Sequence, residues 1–313
     1  MLLAAVDSVL AQTCPPANVI VVIDGNDGAA VRLSAARPQV EVLPIDVPRG
    51  AAHARQAGIE HATATWVAFL DDDDLWHPSK QAHVAAWVAA HPTCRAVRSP
   101  FWTFATPDSG LAEVGTLSVE IVGATVDELV RASSNGRPLN DLSYLDIQGD
   151  SLGLMLERNR GVIGSSVVRR DLLQALPPVP EGLRPGDDHA LLTLVAMHTE
   201  WDLLPERLLF YRAHPAQDTR KDSGDSVSDL VASRLVIWGM VGPHAPRPIE
   251  SYGTAYRKEL RAMLWSLVDR GRHAEAVRGY RAALGLLPRR RDRLRLLLPE
   301  PIVWRWHHRR LRG

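Results

Sequence analysis

Cysteine is almost missing from this 313-residue chain, with Cys14 and Cys94 the only two. Two thiols build neither a disulfide framework nor a zinc cage, a usage that suits a reducing cytosol. Net charge is missing too, since 36 Lys and Arg balance 36 Asp and Glu. No general attraction to nucleic acid follows, and any charge effect is local. No apolar run reaches the ~20 residues that span a bilayer, and no charged leader precedes an unbroken apolar core. The expected compartment is therefore the cytoplasm. What is present is globular in kind: 46% of residues are hydrophobic and 23% charged. The length allows about two domains at roughly 100 to 200 residues each.

The first half alternates short β-branched runs with amphipathic stretches, the pattern of an α/β fold with a mostly parallel sheet and flanking helices. Leu2 to Leu10 has helical spacing and stops at Thr13-Cys14-Pro15-Pro16. Val19 to Ile23 is a buried-strand run that ends in the polar turn Asp24-Gly25-Asn26-Asp27-Gly28. Gln39 to Leu43 reads as a second strand, Ala51 to Ala62 as a helix, and Trp66 to Leu70 as a third strand that runs into Asp71-Asp72-Asp73-Asp74. Further on, strands are expected at 95–104, 161–169 and 203–210. A polar insertion at 118–157 carries a helix near Val126 to Ala132. A Pro-rich loop at 177–185 leads into Gly186-Asp187-Asp188-His189 and a helix from Ala190 to His198. From Ser226 onward, helical periodicity marks a C-terminal extension. Its last segment, 289–313, has nine arginines against Asp292 and Glu300, a formal 9 − 2 = +7. With Leu, Ile and Trp interleaved, that segment reads either as a solvated basic tail or as a contact with the anionic inner face of a membrane.

Four consecutive aspartates after an apolar strand repel one another unless a cation or hydrogen bonds compensate. In an extended segment Asp71 and Asp73 share a side while Asp72 and Asp74 face away. All-oxygen ligation suits a hard cation such as Mg2+ or Mn2+, completed by substrate phosphate oxygens. The plain alternative is a solvated acidic turn or a helix N-cap. Asp24 also closes a strand, at the end of the sheet where open α/β folds bind ligands. It is placed either to accept from a base N–H or ribose hydroxyl, or to form a local turn with Asn26. Arg55 is placed to meet a nucleotide or to pair with acids.

These pieces resemble the family 2 glycosyltransferases, which have a GT-A fold. The resemblance rests on Ser8-Val9-Leu10-Ala11-Gln12-Thr13, Val19 to Asp27, and Arg49-Gly50 through Ala54-Arg55-Gln56-Ala57-Gly58-Ile59. It continues through Phe69-Leu70-Asp71-Asp72-Asp73-Asp74-Leu75-Trp76-His77-Pro78-Ser79-Lys80, Gly186-Asp187-Asp188 and Tyr211-Arg212-Ala213-His214. Order and spacing match over about residues 1 to 215. It implies a nucleotide-sugar half (1–94) and an acceptor half (95–225) of one GT-A domain, followed by the extension at 226–313. It implies a metal-dependent inverting transfer from a UDP- or GDP-linked sugar to a hydroxyl of a glycan, lipid-linked sugar or small molecule. Asp71 and Asp73 resemble the metal-binding DxD pair beside Asp72, and Asp24 and Arg55 the residues at the nucleotide. Asp188, with Asp187 the alternative, resembles the general base, and His214 a residue reaching the diphosphate or metal. Two other readings are another Mg2+-dependent nucleotidyl or phosphoryl transferase, which would release pyrophosphate, and an inactive relative serving as a binding or scaffold protein.

The chain departs from the family pattern in three places. An apolar strand usually precedes the helix that here starts at Leu2, so the Val19 to Ile23 strand is expected to lack a neighbour, and either the natural reading frame starts upstream or this version is impaired in folding and donor binding. Ile23 stands where an aspartate is common and Gln56 where an asparagine is common, changes that bear on base selectivity.

Overall fold

The computed structural model describes residues 1–25, 28–114, 117–181, 183, 186–215 and 217, with 233–234, 236–244, 267–268, 271, 273–274 and 276–277 beyond them. Asn26, Asp27, most of the extension and the arginine-rich segment lie outside the described residues. The helices whose bounds lie within the described residues of the first 217 positions are α1 (Leu2–Leu10), α2 (Ala29–Ala36), α3 (Ala51–His61), α4 (Lys80–Ala90), α5 (Val126–Asn135), α6 (Ser151–Glu157), α7 (Arg170–Ala175) and α8 (Asp187–Ala196). The strands of the first half are β1 (Ile20–Asp24), β2 (Glu41–Ile45), β3 (Trp66–Ala68) and β4 (Leu75–Trp76). The second half adds β5 (Ala96–Arg98), β6 (Phe101–Ala105), β7 (Glu113–Val114), β8 (Leu117–Ser118), β9 (Ile121–Val122), β10 (Ser166–Arg169), β11 (Asp202–Leu203) and β12 (Leu209–Arg212).

Two four-stranded sheets carry the molecule, in the orders β11-β5-β10-β3 and β4-β12-β6-β9. Parallel pairing joins β5 to β11, β6 to β12 and β6 to β9, while β10 runs antiparallel to both β3 and β5. β1 pairs in parallel with β2, Ile20 opposite Glu41, and β2 is its one strand partner among the described residues. All five β1 residues are only half-buried. A strand covered on both sides would bury such an Ile-Val-Val-Ile run completely.

The expected strands at 95–104 and 203–210 are each divided. Pro100 and Pro205 cannot donate to a ladder, and at each break the chain crosses from one sheet to the other. These two crossings carry β12 to the end of the acidic turn. The insertion at 118–157 is more ordered than its polarity suggests. Thr125 and Glu128 form a capping box that starts α5. The fully buried Glu120 side chain accepts from Thr103 N, Leu139 N and Asn140 N, each at 3.0 Å, and pairs with Arg207 Nη1 at 2.8 Å. Ser151–Glu157 adds a helix not expected there.

The main core gathers α3, α6, α7 and α8 around Trp201, Leu192, Met155 and Val195, and Ile237 and Val241 of the extension are buried within it. No helix among the described residues is long and apolar enough to cross a membrane.

Candidate active site

The four aspartates do not continue the strand. Asp74 N donates to Asp71 O at 3.3 Å and closes a turn, so strand alternation fails there. Asp71, Asp73 and Asp74 each bring a carboxylate oxygen within 4.8 Å of the others, while Asp72 is exposed on the outside. The expectation that Asp74 faces away from Asp71 and Asp73 is thereby corrected. The segment after the turn is clamped by the end of α1. Ser8 Oγ accepts from Trp76 N at 3.1 Å, and Gln12 Nε2 donates to His77 O at 2.9 Å. Gln12 Oε1 accepts from Gln81 N at 2.9 Å. The Ser8 to Thr13 motif therefore fixes where the acids point.

β12 supplies the counterweight. Arg212 N donates to Asp74 Oδ1 at 2.9 Å, Arg212 Nε donates to Asp73 O at 2.6 Å, and His214 Nε2 meets Asp73 Oδ2 at 2.9 Å. Asp74 has no exposed surface, and its Oδ2 has no hydrogen-bond partner among the described residues. Burial pushes its proton affinity well above the ordinary carboxylate, with Asp73 and Asp71 adding to the effect. Beneath it lies Lys80, also fully buried, whose Nζ donates to Gly164 O at 2.8 Å. Burial lowers the Lys80 pKa to about 7, and Asp74 works against that shift.

The second acidic motif opens α8. Asp188 Oδ2 accepts from Asn159 Nδ2 at 3.2 Å and its Oδ1 from His189 N at 2.6 Å. Burial, then the neighbouring Asp187 charge, raises the Asp188 pKa to about 6, against the lowering pull of Arg55 and His189 N. His189, buried on Met155 O at 2.6 Å, has its pKa lowered to about 4 by burial and stays neutral. The hydroxyl of Tyr211, on β12, is pushed up by burial and by the charges of Asp74, Asp73, Asp188 and Asp71. Those four acids therefore share one neighbourhood.

Arg55, in the second turn of α3, joins the two motifs. Its Nη2 donates to Asp71 Oδ1 at 2.9 Å and its Nη1 to Asp187 Oδ2. Burial works against the Arg55 charge, but Asp71, Asp187 and Asp188 raise its proton affinity above the ordinary arginine value. The start of α3 is pinned by Asp24, whose two oxygens accept from Arg49 N at 2.9 Å and Gly50 N at 2.7 Å. Gly50 has φ 95°, a region that favours glycine, so the chain can turn there and present both N–H groups to Asp24. Arg49 pairs with Glu181 of the Pro-rich loop, a second tie between α3 and the approach to α8.

Of the residues singled out from sequence, Asp71, Asp73, Arg55, Asp187, Asp188 and His214 are brought together. Asp24 stands at the root of α3 with its carboxylate engaged by backbone. Asn159, Asp74 and Arg212 were not anticipated as site residues. Arg212 lies inside a quoted motif, whereas nothing in the sequence ties Asn159 to an acid 29 residues later. Three converging carboxylates, one with a buried oxygen lacking a partner, fit a hard divalent cation.

Residues 1–106 match the family model described as Glycosyl transferase family 2. Succinoglycan biosynthesis protein ExoO of Rhizobium meliloti (strain 1021) is 40% identical over 78 residues, 24% of this chain and 22% of that protein. Uncharacterized glycosyltransferase alr2836 of Nostoc sp. is 26% identical over 221 residues, 68% of this chain and 61% of that one. The chain thus spans less than two thirds of the length of either relative. Among solved structures, S. aureus TarS 1-349 in complex with UDP-GlcNAc superposes with a TM-score of 0.53 at 13% identity, covering 90% of this chain and 85% of that one. Mannosyltransferase PcManGT from Pyrobaculum calidifontis, in complex with GDP-Man and Mn2+, gives 0.51 at 16% identity, covering 94% and 74%. The shared fold is GT-A, and residues 1–106 are similar to glycosyl transferase family 2.

Proposed function

We propose that this chain is a metal-dependent inverting glycosyltransferase that moves a sugar from a nucleoside-diphosphate donor to an acceptor hydroxyl. The observation that carries the reading is the Arg55 bridge, which makes the Asp71–Asp74 turn and the Asp187–Asp188 helix start one site. Asp71 and Asp73, with Asp74 behind them, are the residues to hold Mg2+ or Mn2+. Such an ion, when bound, offsets the charge on a departing nucleoside diphosphate. His214 and Arg212 keep Asp73 oriented toward it.

Asp188 is the base. Its pKa of about 6 leaves it ionised at neutral pH yet with more proton affinity than an ordinary carboxylate. Asn159 and His189 N hold its two oxygens in place. Asp187 is committed to Arg55 and is thereby distinguished from its neighbour. A proton lifted from an acceptor hydroxyl on the face opposite the leaving group gives inversion. Asp24 acts on the donor pocket through the Arg49–Gly50 turn that it holds. Donors of the UDP and GDP classes are supported by the ligands named for the two fold neighbours. The +7 segment 289–313 is proposed to hold the enzyme at an anionic lipid surface on the cytoplasmic side.

Thermal unfolding with a panel of nucleotide sugars, with and without Mn2+, tests the donor site, because a ligand that binds the folded state raises Tm by mass action. A nucleotide sugar is expected to raise Tm only with the metal present. A folded protein that no donor stabilises refutes the reading, and release of pyrophosphate in place of a nucleoside diphosphate would favour a nucleotidyl transferase.

A further inference from the structure

We propose that Arg55 is an exchangeable counter-cation, a guanidinium that neutralises Asp71 until a divalent ion enters and then withdraws to Asp187. The inference rests on the metal-dependent reading above and adds a loading step to it. Its ground is the division of partners. Asp73 is held by His214 and Asp74 by Arg212 N, both from the strand end, whereas Asp71 has the Arg55 fork. That fork is 17% exposed and reaches the second motif with its other arm.

With Arg55 and the nearby Arg212 in place, one polar atom of the cluster is still unmatched. Three carboxylates converge, and Asp74 Oδ2 is buried with no hydrogen-bond partner among the described residues. A divalent ion would match that oxygen but meets Arg55 on Asp71, and two cations there repel. Arginine cannot leave by losing its proton, so the conflict is relieved only by movement. Asp187 keeps the other arm, which makes the withdrawal short. Asp187 stays locked in an ion pair, leaving Asp188 as the acid free to take a proton. Arg55 is a positioning residue in this account and takes no proton itself.

The test is direct Mn2+ binding to the full chain by calorimetry, without nucleotide sugar, for the wild type, Arg55→Gln, Arg55→Lys and Asp73→Asn. Arg55→Gln is expected to bind Mn2+ about tenfold more tightly, because the competing charge is gone. Arg55→Lys should stay near the wild type, and Asp73→Asn should lose binding. Wild-type binding that Asp73→Asn abolishes and Arg55→Gln leaves unchanged or weakens overturns the exchange and leaves the metal site standing. No binding in any variant overturns both. Should Arg55→Gln not fold, Mg2+ titration of the wild type with 15N-labelled arginine reads the same event. A shift in the Arg55 side-chain resonances supports the exchange, and static resonances contradict it.

Discussion

Asp73 faces an imidazole and Asp71 a guanidinium, whereas Asp188 faces a neutral amide and a backbone N–H. Both acidic runs sit at the ends of secondary-structure elements, and they read alike in sequence. The protein treats them differently. In the turn at 71–74 three carboxylates converge beside Arg55 and His214, an arrangement suited to holding positive charge. At 187–188 the pair is split: Asp187 is given to Arg55, and Asp188 keeps a carboxyl whose proton affinity is raised by burial and by Asp187. The lesson is that the partner, more than the acid, decides whether a carboxylate is suited to binding a cation or to moving a proton, the two roles proposed for these runs.

The comparison breaks most severely at Asp188, the proposed base. Asp188→Asn is expected to lower kcat on the order of 10²- to 10⁴-fold while donor binding persists, the range for loss of a general base. The same change should raise stability at neutral pH. With a pKa of about 6 against an ordinary 3.8, the folded state binds this proton more readily than the unfolded one. The cost that Asp188 imposes is therefore full above pH 6 and relieved as pH falls toward 4. Removing the charge should gain on the order of 1 to 3 kcal/mol at pH 7, read as a higher Tm. A loss of both activity and stability would make Asp188 structural instead.

Asp73→Asn comes next, with an expected loss on the order of 10²- to 10³-fold that extra Mn2+ does not restore, scaled by the usual cost of removing charge stabilisation. Asp187→Asn should cost less than Asp188→Asn, and the reverse order would exchange their roles. The pH profile sharpens the same contrast. A base must be unprotonated, so kcat/KM should rise with pH up to about 6 and level off above it. Asn159→Ala removes a donor to the charged form. It should move that limb to higher pH by up to about one unit with a few-fold loss in kcat, and an unmoved limb would show that Asn159 does not position the base. The smallest effect is expected at Asp171, an exposed acid paired with Arg169, where Asp171→Asn should change stability by no more than about 0.5 kcal/mol and activity not at all.

Sequence carried the acids themselves because the first run ends an apolar strand and the second stands between a Pro-rich loop and a helical pattern. It did not carry their orientation. Asp74 joined the cluster because a backbone hydrogen bond to Asp71 O replaced strand alternation with a turn, and no residue in Asp-Asp-Asp-Asp marks that choice. Strand boundaries failed at Pro100 and Pro205 for a cause visible in the sequence, the missing N–H. Asn159 was illegible for a different reason: its role exists only once the loop after α6 folds back over the start of α8. Arg55 stood between. Pairing with acids was one of its two readings, but that it would span both motifs needed the three-dimensional fold.

Donor turnover is the most direct measurement of the central claim. A panel of UDP- and GDP-sugars is incubated with the wild type, Asp73→Asn and Asp188→Asn, with Mn2+ or with chelator, and both the nucleotide released and the anomer of the sugar product are identified. The account predicts a nucleoside diphosphate and an inverted anomer from the wild type with Mn2+ alone, and at least about 100-fold less of both from the two variants. Turnover that survives chelation, or a product that retains the donor's anomeric configuration, would contradict it.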